Sequence, residues 1–277
     1  MTKLYITTFA FFLLVNLSFG QDTTSITHIS DNLGYTKSSR SIYKGTLLTR
    51  ISFGYSETKA AGPGYNFLKK AVGIPGVNIG FGIFKNIDLR IGIGMSYNET
   101  HFSGSDYSGS PINSFTSDYK MNNFAFGSKI NLFKQQKLVP ELAYSLDVNT
   151  LFTSTNSRSH IYNTLAFSYN LGEKFRLGGN FGLRTSLSLT GYSEGSSHLF
   201  YSLNIRYEFM DGLGAFMDFK PANISSIDMN SMLGIYYRLN NNMQFNLYGG
   251  TLLLTPQNYP SDVYFVSGGF SWLLLRD

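Results

Sequence analysis

The chain has 277 residues, of which 43% are hydrophobic, 16% aromatic and only 14% charged, and its net charge is +5 at pH 7. Its mean hydropathy of −0.07 excludes a helical membrane bundle, whose spans need about 20 consecutive apolar residues, and its hydrophobic content excludes a disordered chain. The absence of cysteine excludes disulfides and thiolate metal sites, and the basic residues form no run of the kind that binds nucleic acid, so no nucleic-acid partner is expected.

The first predicted element is a signal peptide over residues 1–20. Lys3 supplies a positive charge, Leu4 to Leu17 form an apolar stretch, and Ser18-Phe19-Gly20 places small residues at the −3 and −1 positions before Gln21. A membrane anchor is the weaker alternative, because the apolar stretch is short and no basic cluster follows it. We therefore expect an exported protein that is cleaved after Gly20.

A polar segment, residues 21–44, follows the predicted cleavage site. It carries no sustained hydrophobic periodicity, so no regular element is predicted there. Its length and polarity suggest that it lies in the periplasm or tucks into a barrel lumen as a plug. Residues 45–277 then form the main domain.

From Leu47 onward, apolar residues recur at every second position. In the stretch from Val77 to Ile83, for example, Asn78, Gly80 and Gly82 alternate with apolar side chains. A period of two is typical of a β-strand, because successive side chains point to opposite faces. The predicted apolar faces run, in chain order, from Leu47 to Tyr55, Val77 to Ile83, Leu89 to Tyr97, Phe124 to Leu132, Leu142 to Val148, Leu165 to Leu171, Phe175 to Leu189, Leu199 to Tyr207, Leu213 to Phe219, Met229 to Leu239, Met243 to Leu247 and Tyr264 to Leu274.

These segments predict an all-β fold, a transmembrane antiparallel up-and-down β-barrel of about 12 strands. Strands of about 9 to 11 residues are long enough to cross a bilayer, and single-chain bacterial outer-membrane barrels have an even number of them. The connections also alternate in length, from long ones at Glu57 to Pro75 and Glu99 to Lys120 to short ones such as Lys85-Asn86. Long extracellular loops and short periplasmic turns give this pattern, with both termini periplasmic.

The apolar face of each predicted strand would contact lipid. Tyrosines near the strand ends are candidates for the aromatic girdles at the two membrane interfaces; these are Tyr55, Tyr97, Tyr144, Tyr169, Tyr201, Tyr207, Tyr237 and Tyr264. Charged residues fall on the opposite, inward face. The lumen-lining candidates are Arg50, Asp88, Arg90, Lys129, Glu141, Asp147, Arg176, Arg184, Arg206, Glu208, Asp218, Lys220, Asp228 and Arg238.

Two interpretations of this inward charge stay open. It can form a structural network of cross-strand pairs that fills the lumen, or a polar, slightly cationic pathway for an anionic or amphiphilic solute. A barrel of 12 strands falls between those of about 8 strands, which side chains fill, and those of 16 to 18, which hold an aqueous channel. Free diffusion of large solutes is therefore not expected.

The sequence predicts no catalytic residue, metal site or cofactor. The four histidines, His28, His101, His160 and His198, lack the spacing on one element that a metal site needs. A serine hydrolase embedded in the barrel wall is the main enzymatic alternative, but no local signature couples a serine to His160 or His198.

Several short motifs resemble the bacterial outer-membrane barrel family labelled transporter or MetA-pathway of phenol degradation. They are Ile29-Ser30-Asp31 through Ser38-Ser39, Lys44-Gly45-Thr46-Leu47, Ile87-Asp88-Leu89-Arg90, Met210-Asp211-Gly212, Asn240-Asn241-Asn242-Met243-Gln244-Phe245 and Gly268-Gly269-Phe270-Ser271-Trp272. The resemblance spans nearly the whole mature chain. It implies an outer-membrane protein that moves small, often hydrophobic, compounds, and it assigns no catalytic residue.

We therefore expect an outer-membrane channel or transporter for small solutes, including hydrophobic or amphiphilic compounds, which pass through or bind in a narrow polar lumen. Its expected partners are outer-membrane lipid, lipopolysaccharide and a small-molecule solute. The alternative is a barrel that acts as an adhesin through its long loops or as a subunit of an envelope complex. An outer-membrane hydrolase is the least favoured interpretation.

Overall fold

A computed structural model describes residues 39–62, 64–105, 110–136, 138–151, 158–188, 196–221, 229–253 and 261–274. The predicted signal peptide lies outside the described residues, as does most of the polar segment before residue 39. The strands are β1 (Leu47–Gly62), β2 (Tyr65–Phe84), β3 (Ile87–Ser105), β4 (Pro111–Phe133), β5 (Glu141–Leu151), β6 (Arg158–Leu171), β7 (Phe175–Ser188), β8 (Ser197–Met210), β9 (Leu213–Pro221), β10 (Met229–Asn240), β11 (Met243–Leu253) and β12 (Ser261–Leu274).

The twelve strands form one closed antiparallel barrel in which each strand pairs with its sequence neighbours. β1 and β12 close the barrel along a continuous register from Leu47↔Leu274 to Ala60↔Ser261. This confirms the predicted all-β, up-and-down barrel and its strand number. The start of β1 and the end of β12 lie at the same end as the turns 85–86, 172–174, 211–212 and 241–242, which we call the short-turn end.

The alternation in the sequence separates the two faces of the wall. On β2, Ile79 and Phe81 are 39% and 40% exposed, whereas Gly80 and Gly82, which alternate with them, are buried. The apolar residues therefore lie on the outer surface, which is the arrangement that a hydrocarbon surrounding requires. No helix among the described residues is long and apolar enough to cross a membrane.

Tyrosines mark one edge of this apolar surface on β1 and β3. The Tyr55 hydroxyl donates to Glu57 Oε2 over 2.8 Å and the Tyr97 hydroxyl donates to Glu99 Oε1 over 3.2 Å. Glu57 is paired with Lys70 across β1 and β2, and Lys70 with Glu99 across β2 and β3. An outward row of charges thus follows directly after a row of tyrosines, as expected where lipid gives way to water.

The prediction of two long loops, Glu57 to Pro75 and Glu99 to Lys120, was wrong. Most of their residues continue the ladders of β1 to β4, with connections at 63–64 and 106–110. β4 accordingly has 23 residues, about twice what a bilayer requires. The sequence pattern did not reveal these parts of the strands, because small and polar residues interrupt the alternation of apolar residues there. The backbone hydrogen bonds between strands do not depend on that alternation and continue.

These continued strands form a sheet, residues 57–62, 65–72, 98–105 and 111–119, which we call the β1–β4 extension. From Glu57 to Gly62 the extension runs for about 17 Å along β1, at about 3.3 Å per residue. A cleft of about 720 Å³ lies on it, lined among others by Lys59, Phe67, His101 and Phe115. The His101 and Phe115 rings are in contact, with their centroids 4.6 Å apart and their planes tilted by 47°.

Candidate functional site

The register of the barrel and the burial of their side chains place the described members of the predicted charged set on its inner face. Those that are almost fully buried are Asp88, Lys129, Glu141, Arg176 and Asp218. The partly buried ones are Arg50, Arg90, Asp147, Arg184, Arg206, Glu208, Lys220 and Arg238. Asp228 lies outside the described residues. A role for this set in solute passage stays a prediction.

Part of this charge forms a network near the short-turn end. Arg90 Nε donates to Asp88 Oδ1 over 2.6 Å, and Arg90 Nη2 donates to Asp88 Oδ2 over 3.2 Å. Such a forked pair is among the stronger polar contacts available to a protein. Glu141 forms the second centre of the network: its Oε1 accepts from Asn131 at 3.2 Å, and Arg176 lies 3.8 Å from its Oε2.

The chain just before β1 enters the lumen and binds this network. Arg40 Nε donates to Glu141 Oε2 over 2.9 Å, and the backbone N–H of Ile42 donates to Asp88 Oδ2 over 2.8 Å. The side chains of Ser39, Ser41 and Ile42 are almost fully buried. We call residues 39–44 the lumen segment.

Two glycines of β2 leave the space that the lumen segment occupies. A Cβ atom at Gly80 would collide with Ile42 Cδ1, and one at Gly82 would collide with the Tyr43 carbonyl. Because glycine has no side chain, the backbone can approach the wall there. The sequence interpretation missed the contacts of the lumen segment. The inward glycines of β2, together with the polar segment before β1, could have indicated that this segment packs against the wall.

A second ionic group lies around Glu208 at the same end, and its Arg206 is paired with Arg176 of the first network across β7 and β8. Arg238 donates to Glu208 Oε1 over 3.0 Å and to Asp211 Oδ1 over 2.6 Å. The Tyr236 hydroxyl donates to Glu208 Oε2 over 3.3 Å, and the Arg206 guanidinium lies 5.6 Å from the centre of the Tyr236 ring. The contact geometry is that of a cation–π pair.

The structure also reveals apolar side chains on the inner face, which the sequence interpretation missed. Phe216, Met232 and Tyr236 are buried together, with Tyr248 and Phe265 packed against them. Each is followed by another apolar residue on the outer face, except Tyr248. A pair of consecutive apolar residues in an otherwise alternating strand was therefore the signal that could have identified most of this cluster.

Two cavities lie in the lumen beside this cluster and the lumen segment. The larger, about 450 Å³, which we call the aromatic cavity, is lined by Met232, Tyr248 and Phe265 together with small and polar residues such as Ser96 and Asn98. Cavities of this size hold small organic molecules.

The smaller cavity, about 280 Å³, we call the arginine cavity. Its lining includes Arg50, Arg90, Asn78 and Asp147, and also Ile42 of the lumen segment. Since Ile42 belongs to the segment that enters the lumen, this cavity lies between the segment and the rest of the pore.

The histidines form no metal site among the described residues, where no group of three or more His, Asp or Glu side chains could hold an ion. His28 lies outside them. His160 Nδ1 is 3.0 Å from Ser186 Oγ, so the structure does bring one histidine to a serine. The residue opposite His160 on β5 is Asn149.

The sequence matches no family model and no curated protein. The barrel is similar to an outer membrane channel from Pseudomonas putida F1, with a TM-score of 0.58, 10% identity, and coverage of 85% of this chain and 98% of that one. It is more distantly similar to the translocator domain of the autotransporter NalP from Neisseria meningitidis, with a TM-score of 0.49, 13% identity, and coverage of 89% and 92%. A third neighbour is the Pseudomonas putida toluene transporter TodX, with a TM-score of 0.48, 8% identity, and coverage of 92% and 99%.

We take the fold from the first of these three. The β-barrel fold that the resemblance of the sequence implies is confirmed, because the matched structure shares this fold over 85% of this chain and 98% of its own. Identities this low concern the backbone arrangement, whereas function depends on the residues inside the barrel.

Proposed function

We propose that the protein is an outer-membrane channel that carries small solutes, including hydrophobic or amphiphilic compounds, through a narrow lumen. The observation that carries this proposal is the presence of the aromatic and arginine cavities inside a closed barrel whose outer surface is apolar. A barrel whose work was only structural would gain stability from filling this space with side chains, because cavities cost packing energy. The proposed lining includes the inward charged residues given above.

The proposed location is the cell outer membrane, reached with the help of a signal peptide over residues 1–20. Both chain termini would then face the periplasm, and the β1–β4 extension would face outward. The row of Glu57, Lys70 and Glu99 beside outward tyrosines supports contact with lipid headgroups and lipopolysaccharide, whose charged groups lie at this level.

We further propose that residues 21–44 act as a plug whose described part is the lumen segment. The contacts of Arg40 with Glu141 and of Ile42 with Asp88 support this role. Because the lumen segment also lines the arginine cavity through Ile42, a solute that crosses the barrel has to pass it or displace it.

The experiment is solute flux into liposomes that contain the full mature chain, together with single-channel recording in planar bilayers. We expect conductance steps and flux of small solutes, and larger steps for a variant that lacks residues 21–43. Heat-modifiable gel mobility shows that each variant forms a barrel. No steps and no flux for either folded protein would reject the channel.

The binding alternative depends on the β1–β4 extension. Its cleft of about 720 Å³, with His101, Phe102 and Phe115 in the lining, supports a barrel that binds a molecule outside the membrane. Flux measurements separate the two functions, because an adhesin or a complex subunit needs no open lumen. A catalytic role receives no comparable support, and we propose that the protein is not an enzyme.

A further inference from the structure

We infer that the cleft on the β1–β4 extension binds the sugar headgroup of lipopolysaccharide from the surrounding membrane. This inference rests on the proposed location in the outer membrane, and it holds for a channel as well as for a barrel of another function. It gives the cleft one occupant of defined chemistry, a lipid that lies beside the wall of the barrel.

One wall of the cleft is a row of outward side chains that crosses four strands. On β1, Lys59 lies four residues beyond the outward Tyr55, so both side chains point to the same face. Lys59 is paired with Leu68 of β2. Leu68 is paired with His101 of β3, and His101 with Phe115 of β4. We call these four paired residues the first row.

A second outward row forms the other wall, two residues further along each strand. Its members, paired across the strands in the same order, are Ala61, Asn66, Ser103 and Asn113. The cleft is lined by both rows and by the residues between them, which are Ala60, Phe67, Phe102 and Ser114. The next inward residues along β1 and β3, Thr58 and Thr100, do not line it. The cleft is therefore a groove on the outer face, about 7 Å wide and about 14 Å long, with backbone as its floor.

The height of the groove above the membrane distinguishes between lipids. The first row lies four residues beyond the row of Tyr55 and Tyr97, which is about 13 Å along the strands and about 10 Å along the membrane normal at a tilt of about 40°. Such tyrosines lie at the level of the headgroups, and phospholipid headgroups add only about 5–7 Å to each side of the hydrocarbon core. A phospholipid therefore ends below the groove, whereas the sugars of lipopolysaccharide extend past it.

The side chains of the two walls match the two kinds of surface on a sugar. The His101 and Phe115 rings are in contact and Phe115 is 56% exposed, so they offer an apolar surface on which the C–H face of a sugar ring can pack. In the second row, Asn66 and Asn113 are exposed and offer amide donors and acceptors to sugar hydroxyl groups. The groove thus combines ring contact on one wall with hydrogen bonds on the other.

The charges beside the groove suit the phosphate groups of the same lipid. Lys59 is exposed and lies 2.6 Å from Glu57. One row closer to the membrane, Lys70 is paired with Glu57 on one side and Glu99 on the other. Ammonium groups donate to phosphate, and carboxylates can share the divalent cations that link neighbouring phosphates. The outer face thus follows the order of groups in lipopolysaccharide, from acyl chains through phosphates to sugars.

The test measures how much the sugars contribute to binding. The refolded full mature protein in detergent is mixed with lipopolysaccharide that carries a complete core, with lipid A, or with phosphatidylglycerol, and bound lipid is measured by native mass spectrometry. Lipid A keeps the phosphates and acyl chains but lacks the core sugars. We expect the complete-core lipid to bind about tenfold more tightly than lipid A, as a few added apolar and polar contacts would give, and phosphatidylglycerol to bind least.

The variant Phe115→Ala should lower the ratio of complete-core to lipid A binding by about five- to tenfold, the loss expected when a ring that is 56% exposed is no longer there to be covered. Asn113→Ala should lower the ratio by about threefold, because a hydrogen bond to the sugar replaces one to water. Phe181→Ala is the matched control: Phe181 is an outward ring on β7 that is 52% exposed, and its loss should leave the ratio unchanged. Heat-modifiable gel mobility shows that each variant forms a barrel.

Each result has a separate meaning. Equal binding of complete-core lipid and lipid A by the wild-type protein overturns the inference, and so does an unchanged ratio in Phe115→Ala or, should that variant not fold, in Asn113→Ala. If the lipid-free core oligosaccharide binds as tightly as the intact lipid, the occupant is a soluble saccharide and the inference also fails. Solute flux is measured separately: flux without a preference for the complete core leaves the channel standing, and a preference without flux leaves the lipid site standing.

Discussion

Gly82 lies directly beneath the backbone of Tyr43, so that a Cβ atom at position 82 would collide with the Tyr43 carbonyl. The backbone hydrogen bonds Gly45 N–H to Gly82 O, 2.8 Å, and Gly82 N–H to Thr46 O, 3.1 Å, hold the chain at this approach. One glycine in the wall thus fixes where the lumen segment leaves the pore and becomes β1.

The first prediction follows from this approach. Gly82→Ala should displace the lumen segment, because the collision involves backbone atoms that have no rotamer to change. We expect a larger single-channel conductance than that of the wild-type protein. Gly268→Ala is the control, since a Cβ atom there meets nothing closer than 3.6 Å. Unchanged conductance in a folded Gly82→Ala barrel would contradict the plug.

The second prediction concerns the carboxylate that binds the lumen segment. Glu141→Gln removes a buried charge that Arg40 and Arg176 both face, and breaking a buried pair on one side costs about 3 kcal/mol. Urea unfolding of the refolded barrel should show this loss of stability. Glu57→Gln breaks the exposed pair with Lys59 and should leave the midpoint unchanged; equal midpoints for both variants would argue against the network.

The third prediction locates the membrane on the outer surface. Ile91→Arg, on the apolar face of β3, should lower the free energy of folding into lipid by about 2–4 kcal/mol if that face lies near the bilayer midplane. Ser117→Arg, on the exposed β1–β4 extension, should change it little. A small cost at both positions would mean that the apolar surface does not face hydrocarbon.

The fourth prediction tests the hydrolase. Ser186 forms a hydrogen bond with His160, so the variant Ser186→Ala distinguishes a channel from a hydrolase. In a channel, solute flux should match that of the wild-type protein, and no phospholipid or ester turnover should occur in either protein. Turnover that the substitution abolishes would reverse our assignment of the protein as a non-enzyme.

The barrel itself was predictable from the sequence, because lipid imposes a strict alternation on every strand that crosses it. Ile79 and Phe81 on one face and Gly80 and Gly82 on the other are enough to identify the wall at β2. The same rule identifies inward charges such as Asp88 and Arg90. The alternation along a strand assigns each residue to the inner or the outer face, even when the residues that it contacts are not known.

The alternation along the strands does not predict which side chains pair with each other across the lumen. Arg40 and Glu141 are 101 residues apart, and no local pattern joins them. The β1–β4 extension was also missed, because strands in water need no apolar face to keep their backbone hydrogen bonds. The inward side chains of Phe216 and Met232 were missed because each residue lies next to an outward apolar residue. The outward residue alone was enough to predict the strand.

The unequal strand lengths have a consequence for the approach of solutes. β1 to β4 continue to Gly62, Tyr65, Ser105 and Pro111, whereas β9 has only nine residues. Among the described residues, the wall of the barrel is therefore higher along β1 to β4 than at β9. A molecule that approaches from the higher side meets a sheet with aromatic and charged groups before it reaches the lumen.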